Sequence, residues 1–158
     1  MNCYQKKISS SIGQLYLVAS ERGLQGIHFV DQKLPLIKDQ ESTQAQFLNQ
    51  AEKEILEYLD QKRTTFQVKL DIVGTDFQKK VWMSLMKIPY GKTKSYKEIA
   101  ELINNEQACR AVGTANGKNP LCIIIPCHRV IAADGSLGGY SGGLKIKESL
   151  LKLEKVIL

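Results

Sequence analysis

Histidine and closely paired cysteine are scarce in this chain. Two histidines, His28 and His128, and four cysteines, Cys3, Cys109, Cys122 and Cys127, are spread over 158 residues with no CxxC spacing. Structural zinc sites draw on clustered Cys and His, and no such cluster is present. No metal is expected, and His28, within GIHFV, reads as a strand residue. The N-terminal MNCYQKKISSSIGQLYL lacks the apolar h-region of a secretory leader. Outside a secretory context the four thiols read as reduced, in a cytoplasmic protein. No stretch approaches the roughly 18 apolar residues of a membrane span, so no membrane partner is expected. Repeats and low-complexity tracts are missing too, and 43% hydrophobic with 24% charged residues is the composition of a folded globular chain.

What the sequence does have is an uneven distribution of charge. Its length allows one good core or two small ones. The formal net charge is +6. Residues 1–73 carry 9 Lys/Arg against 9 Asp/Glu, and residues 74–158 carry 13 against 7, so the whole excess lies in the second half. A basic half suits a polyanion, because phosphate neutralisation supplies most non-specific affinity for nucleic acid. A solvated basic face has the same composition.

The first half reads as a small α+β unit. GQLYLVAS and GLQGIHFVD are β-rich runs joined at Glu21-Arg22-Gly23, which predicts a hairpin. KLPLIKDQEST reads as a surface loop. Phe47, Ala51, Ile55 and Tyr58/Leu59 recur at helical spacing, with Thr43 as the expected cap. TTFQVKLDIVG alternates well enough to predict another strand, and Gly74 marks the boundary of a 1–73 domain.

The second half, 74–158, reads as helical. TDFQKKVWMSLMKI puts Phe77, Val81, Trp82, Leu85 and Ile88 on one face, capped by Thr75 or Asp76. SYKEIAELI is a second helix, with Ser95 as cap and Glu98 at the capping-box position. NNEQ makes a turn. QACRAVGTAN is a third helix ending at Gly117, with Arg110 and Ala111 near its start. Two short helices across a tight polar turn have the shape of a helix-turn-helix. DGSLGGYSGG is a glycine-rich loop able to pass close to a ligand, and LKIKESLLKLE is a closing helix.

Between these lies IIIPCHRVIAADG, where an apolar run leads straight into Cys127, His128 and Arg129. A free thiol titrates near pH 8.5 and is mostly protonated unless a base or a cation helps it. His128 and Arg129 are the local candidates for that help. Neighbours on a strand point to opposite faces, so either the chain turns here or a water or third group mediates. A buried structural cysteine fits the same residues.

FQKKVWMSLMKIPYGKTKSYKEIA, CRAVGTANGKNPLCIIIPCHRVI and GSLGGYSGGLKIKESLLKLE together closely resemble the O6-alkylguanine-DNA alkyltransferases (methylated-DNA–protein-cysteine methyltransferases). The likeness runs through nearly all of 74–154, with PCHRV as its most specific element. The first half resembles the family's variable N-terminal domain in size and pattern only. The resemblance implies an α+β support domain followed by a winged-helix-like domain with a helix-turn-helix. It implies that the second domain binds double-stranded DNA through the minor groove and extrudes an O6-alkylguanine, with O4-alkylthymine as a second lesion. Direct transfer of the alkyl group to Cys127 would follow, once per molecule and with no cofactor. His128 would activate the thiol through a water and Glu154 would orient the histidine. Asn119 would brace the active-site turn. Arg110 would fill the vacated stack, with Ser95 and Ala111 beside it on the DNA surface, and Tyr96 would assist extrusion and protonate the departing base. Val130 and Ser141 would read the guanine edge through their backbones, and Tyr140 would line the pocket. A monomer is expected, without structural zinc and without a fused regulatory domain.

Overall fold

The computed structural model describes residues 2–157. It divides into two compact units, one ending at Val73 and the other beginning at Gly74. No helix among the described residues is long and apolar enough to cross a membrane.

The first unit is an antiparallel sheet with one helix packed on it. Strands β1 (Tyr4–Ser10), β2 (Gly13–Ser20) and β3 (Gly23–His28) pair in sequence order. Leu15, Leu17 and Ala19 alternate along β2 and are fully buried, as the two-residue period of a half-covered strand requires. Helix α1 (Thr43–Leu59) covers that face with Leu48, Ala51, Ile55 and Tyr58.

Three features of this unit differ from the sequence expectation. Strand β1 was not read from YQKKISS, whose one aliphatic residue is Ile8; tertiary pairing, not pattern, makes it a strand. Helix α1 is capped by Ser42, whose side chain accepts from the Ala45 amide, and Thr43 is its first helical residue. The segment TTFQVKLDIVG is no strand and makes a single bridge, Leu24 to Leu70. The buried Glu54 carboxylate accepts the amides of Gln67 at 2.9 Å and Val68 at 3.0 Å. Those N–H groups are therefore committed to a side chain and not to a sheet ladder.

In the second unit, α2 (Asp76–Leu85) starts at Thr75 and α3 (Tyr96–Leu102) at Ser95. Each start is a capping box, completed by Gln78 and Glu98 respectively. Helix α4 (Cys109–Gly117) follows α3 after a short connection in which Asn104 takes a positive φ of 58°, a conformation asparagine tolerates. Buried Trp82 of α2 donates its indole N–H to the Ala115 carbonyl of α4 at 2.8 Å, which anchors the helix pair. A two-residue parallel pair, β4 (Lys94–Ser95) with β5 (Val130–Ile131), ties the start of α3 to the chain beyond the cysteine. Helix α5 (Leu144–Leu153) ends the fold. The whole is the expected α+β class: a sheet-and-helix unit, then a helical one.

Candidate active site

Residues 121 to 130 are all buried, yet the apolar run 121–126 at its start lies in no strand or helix. The Ile124 amide bonds the Cys122 carbonyl at 2.9 Å across Ile123, which has φ of 76°. A three-residue turn of that hand is rare, and costly for a β-branched residue. Pro126 (φ −79°, ψ 66°) carries a second three-residue turn, of opposite hand, closed by the Cys127 amide on the Ile125 carbonyl at 2.7 Å. A 3₁₀ turn, Cys127–Arg129, comes next.

The buried Asn119 side chain holds this path. Its Nδ2 donates to the Ile125 carbonyl at 2.7 Å, and its Oδ1 accepts from the Leu121 amide at 2.9 Å. Asn116 Nδ2 reaches the Cys127 carbonyl at 3.4 Å. The chain therefore turns at the cysteine, which removes the difficulty that adjacent strand residues face apart.

Glu154, the C-cap of α5, is the hub behind the turn. Its Oε2 lies 2.7 Å from His128 Nε2 and 3.0 Å from Arg129 Nη2. Its Oε1 lies 2.9 Å from Arg129 Nε and accepts the Gly91 amide at 3.1 Å. Both His128 and Glu154 side chains are fully buried. Arg129 also donates Nη1 to the Ile88 carbonyl at 2.8 Å and sits 5.7 Å from the Tyr90 ring centre. Its guanidinium is thus committed to the carboxylate in the forked geometry that suits arginine, and is not the thiol's cation.

The electrostatics correct another expectation. Burial pushes the Cys127 thiol up to about 11, against the lowering effects of hydrogen bonds from Asn119 and Tyr140 and the charge of Lys147. Burial pulls His128 below its ordinary 6.5, against the hydrogen bond and charge of Glu154. Near neutral pH the resting pair is a protonated thiol and a neutral imidazole, not a thiolate favoured by its neighbours. Cys122, also buried, is pushed up as well, by burial and then by Cys127, while Tyr140 bonds it.

Tyr96 lies half-buried at the start of α3, its hydroxyl pKa raised by burial and then by Cys127 and Cys109. The glycine-rich loop passes over it: a Cβ at Gly138 (φ 71°) would sit 2.8 Å from the Tyr96 hydroxyl oxygen. Val130 is buried, Tyr140 half-buried and Ser141 exposed. Arg110 and Ala111 are exposed on the first turn of α4, and Ser95 is half-buried beneath Tyr96 in sequence. The fold brings Asn119 and Tyr140 to Cys127 and joins His128 to Glu154 behind it, with Tyr96 under the loop. Arg110 and Ala111 stand apart from these groups.

Sequence reasoning missed the fork from Arg129 to Glu154, and it missed Lys147. Lys147 is buried on α5, with Nζ donating to the carbonyls of Val130 at 2.6 Å, Gly139 at 3.3 Å and Leu137. A signal for it existed: positions 147, 150, 151 and 154 share a helix face, and on that face the lysine stands with two buried leucines and with Glu154. Among the described residues no group of three or more His, Cys, Asp or Glu is placed to hold a metal ion.

Comparison with known proteins covers both units. Residues 76–156 match the family model described as 6-O-methylguanine DNA methyltransferase, DNA binding domain. Residues 3–72 match the one described as 6-O-methylguanine DNA methyltransferase, ribonuclease-like domain. A methylated-DNA–protein-cysteine methyltransferase of Methanosarcina barkeri is 47% identical over 153 residues, covering 96% of this chain and 97% of its own. One of Mycobacterium bovis is 43% identical over 152 residues, covering 96% and 92%. The crystal structure of Mycobacterium tuberculosis OGT in complex with DNA superposes with a TM-score of 0.87 at 41% identity, covering 96% of this chain and 92% of that one. Matched over both units and nearly half identical to relatives of its own length, the chain belongs to the 6-O-methylguanine DNA methyltransferase family.

Proposed function

We propose that this protein repairs alkylated DNA by moving the alkyl group of O6-alkylguanine irreversibly onto Cys127. The observation that carries this reading is a buried thiol followed directly by an imidazole that is itself held by a buried carboxylate. That is the nucleophile, base and orienter arrangement. With Nε2 donating to Glu154, Nδ1 is the lone-pair nitrogen of the His128 ring. It takes the Cys127 proton, through a water, as the sulfur attacks the alkyl carbon. The S–C bond forms as the bond from that carbon to guanine O6 breaks. Tyr96 gives the departing base a proton and is reprotonated by way of the imidazolium. The net change is thiol plus alkylguanine to thioether plus guanine. High basicity favours the attack once the proton has gone, because thiolate nucleophilicity rises with thiol pKa. The thioether has no acidic proton and no good leaving group, so each molecule acts once. No cofactor enters.

Duplex DNA is the partner. The basic second half, the short helix pair and the relative crystallised with DNA support this. Arg110 fills the stack vacated by the extruded base, with Ala111 and Ser95 beside it and Tyr96 assisting the rotation. An alkylated base pairs poorly, so extruding it costs less of the few kcal/mol of unstacking and unpairing. The backbones of Val130 and Ser141 read the guanine edge, Tyr140 lines the pocket, and O4-alkylthymine is accepted as a second lesion. Residues 74–158 carry the DNA-binding and transfer activity, and residues 1–73 support them in a cytoplasmic monomer.

Counting repaired guanines per protein in excess methylated duplex tests the reading. The count should stop at one, and Cys127→Ser should bind duplex yet repair nothing. Many guanines per molecule would refute the mechanism.

A further inference from the structure

Asn116 sits in the last turn of α4, only 5% exposed, and the fold makes little use of its amide. Its Nδ2 donates to the Cys127 carbonyl at 3.4 Å, but that carbonyl already accepts the Val130 amide. Its Oδ1 is buried and meets no donor among the described residues. Turning the amide over would set Oδ1 against the Cys127 carbonyl oxygen, so the orientation follows from the bond. A buried acceptor left unbonded costs stability, and asparagine is a weaker helix former than leucine. A leucine of nearly the same volume would avoid both costs on a helix whose other buried residues, Val112 and Ala115, are apolar. Packing therefore does not account for Asn116. Its place does: the carbonyl it touches belongs to the peptide that joins the thiol residue to its base.

We propose that Asn116 is a positioning residue for the transfer: its Oδ1 is the acceptor that holds the water relaying the Cys127 proton to His128. This rests on the reading of Cys127 as the alkyl acceptor and His128 as its base. A relay water accepts from the thiol and donates one hydrogen to Nδ1, the lone-pair nitrogen of the His128 ring. Its second hydrogen needs an acceptor too, since a buried water makes about three hydrogen bonds. Asn116 supplies that oxygen, and its Nδ2 ties it to the backbone of the residue the water serves. As the sulfur attacks, the water takes the thiol proton and passes one of its own to Nδ1. The water is returned unchanged, and the proton ends on the imidazolium. The charged groups acting on His128 are Glu154, Arg129 and Lys147, while Asp76, Lys79 and Lys80 of α2 and Arg110 of α4 are exposed. None of the three supplies the missing acceptor. Glu154 is engaged at the other ring nitrogen, and arginine and lysine only donate.

The test is the pH dependence of single-turnover transfer, from a methylated duplex and from free O6-benzylguanine, for wild type, Asn116→Leu and Asn116→Ser. Leucine removes the acceptor at nearly constant volume. It should slow transfer about tenfold near pH 7 on both substrates, the worth of one hydrogen bond. The gap should close as pH rises toward about 11, where the Cys127 thiol ionises without a relay. Serine, which keeps a hydroxyl oxygen and leaves room for solvent, should recover most of the loss. If the leucine variant does not fold, Asn116→Ala, which also lacks the acceptor, takes its place with the same expectation. A variant as fast as wild type, slowed by one factor at every pH, or slowed on the duplex alone would overturn the proposal. Wild type that leaves Cys127 unmodified would instead refute the repair reading beneath it.

Discussion

Each unit buries one glutamate, and the two are bound in much the same way. In the first, Glu54 accepts two backbone amides on Oε1, takes Gln50 on Oε2 at 2.9 Å, and has Arg63 at 3.9 Å. In the second, Glu154 accepts a backbone amide and one arm of Arg129 on Oε1, and takes the other arm and His128 on Oε2. Burial, an arginine and amide donors are common to both, so none of these marks a functional site. The difference is one partner. The donors on Glu54 are two backbone amides, a carboxamide and a guanidinium, whereas one partner of Glu154 is an imidazole, which can take up and release a proton, and that imidazole directly follows a thiol. A buried carboxylate serves chemistry when one of its partners can take up and release a proton beside a reactive atom, and architecture when none can.

Removing the charge from the second glutamate should have the largest effect on transfer. Glu154→Gln takes away the interaction that raises the basicity of His128 against burial, and single-turnover transfer near neutral pH should fall about 100-fold, the lower range of general-base contributions. Stability should fall too, by about 3 kcal/mol, because the buried Arg129 guanidinium loses its counter-charge. A variant with normal transfer would place Glu154 in the same class as Glu54. A smaller, substrate-dependent loss is expected outside the buried network. Arg110→Ala should slow repair in duplex DNA by about tenfold, on the order of the 1–3 kcal/mol that single nucleic-acid contacts carry, and leave reaction with free O6-benzylguanine unchanged. Equal losses on both substrates would move Arg110 into the chemistry or the folding.

Glu54→Ala should affect transfer least. It strands the Gln67 and Val68 amides and should cost roughly 2–3 kcal/mol of stability, read by denaturant unfolding, with the single-turnover rate of the folded protein unaltered. Burial opposes ionisation of Glu54, but Gln50, the two amides and Arg63 together hold its pKa below the ordinary 4.5. Its contribution is therefore complete above that value and is lost as pH falls through the lower folded one. His128 adds a separate acid sensitivity. Because its folded pKa lies below 6.5, the unfolded chain binds the extra proton first, and stability declines as pH drops through 6.5. The Glu54 variant should lose the former dependence and keep the latter.

Local signals carried most of the architecture. Capping boxes at Thr75 and Ser95 are short-range chemistry, and the helical stripes of α1 and α2 are periodic, so both were legible. Strand β1 and the irregular 64–74 segment, with its single bridge, were not, because one is made by its partner and the other has two of its amides taken by a distant side chain, Glu54. At the site, PCHRV and the resemblance it carries named Cys127, His128, Glu154 and Asn119. Their bonding could not be read, since Glu154 lies 26 residues from the histidine it meets. The thiol's surroundings could not be read for a related reason: the sequence shows a histidine and an arginine beside the cysteine, while only the fold shows that both are engaged with Glu154 and that all three are buried.

The central claim is that Cys127 alone receives the alkyl group. Peptide-resolved mass spectrometry after reaction with duplex carrying an isotopically labelled O6-methylguanine tests this directly. One labelled methyl per chain should be found, on the peptide of Cys127. Label on Cys122, Cys109 or Cys3, or label exchanged on and off the protein over repeated additions of duplex, would contradict it.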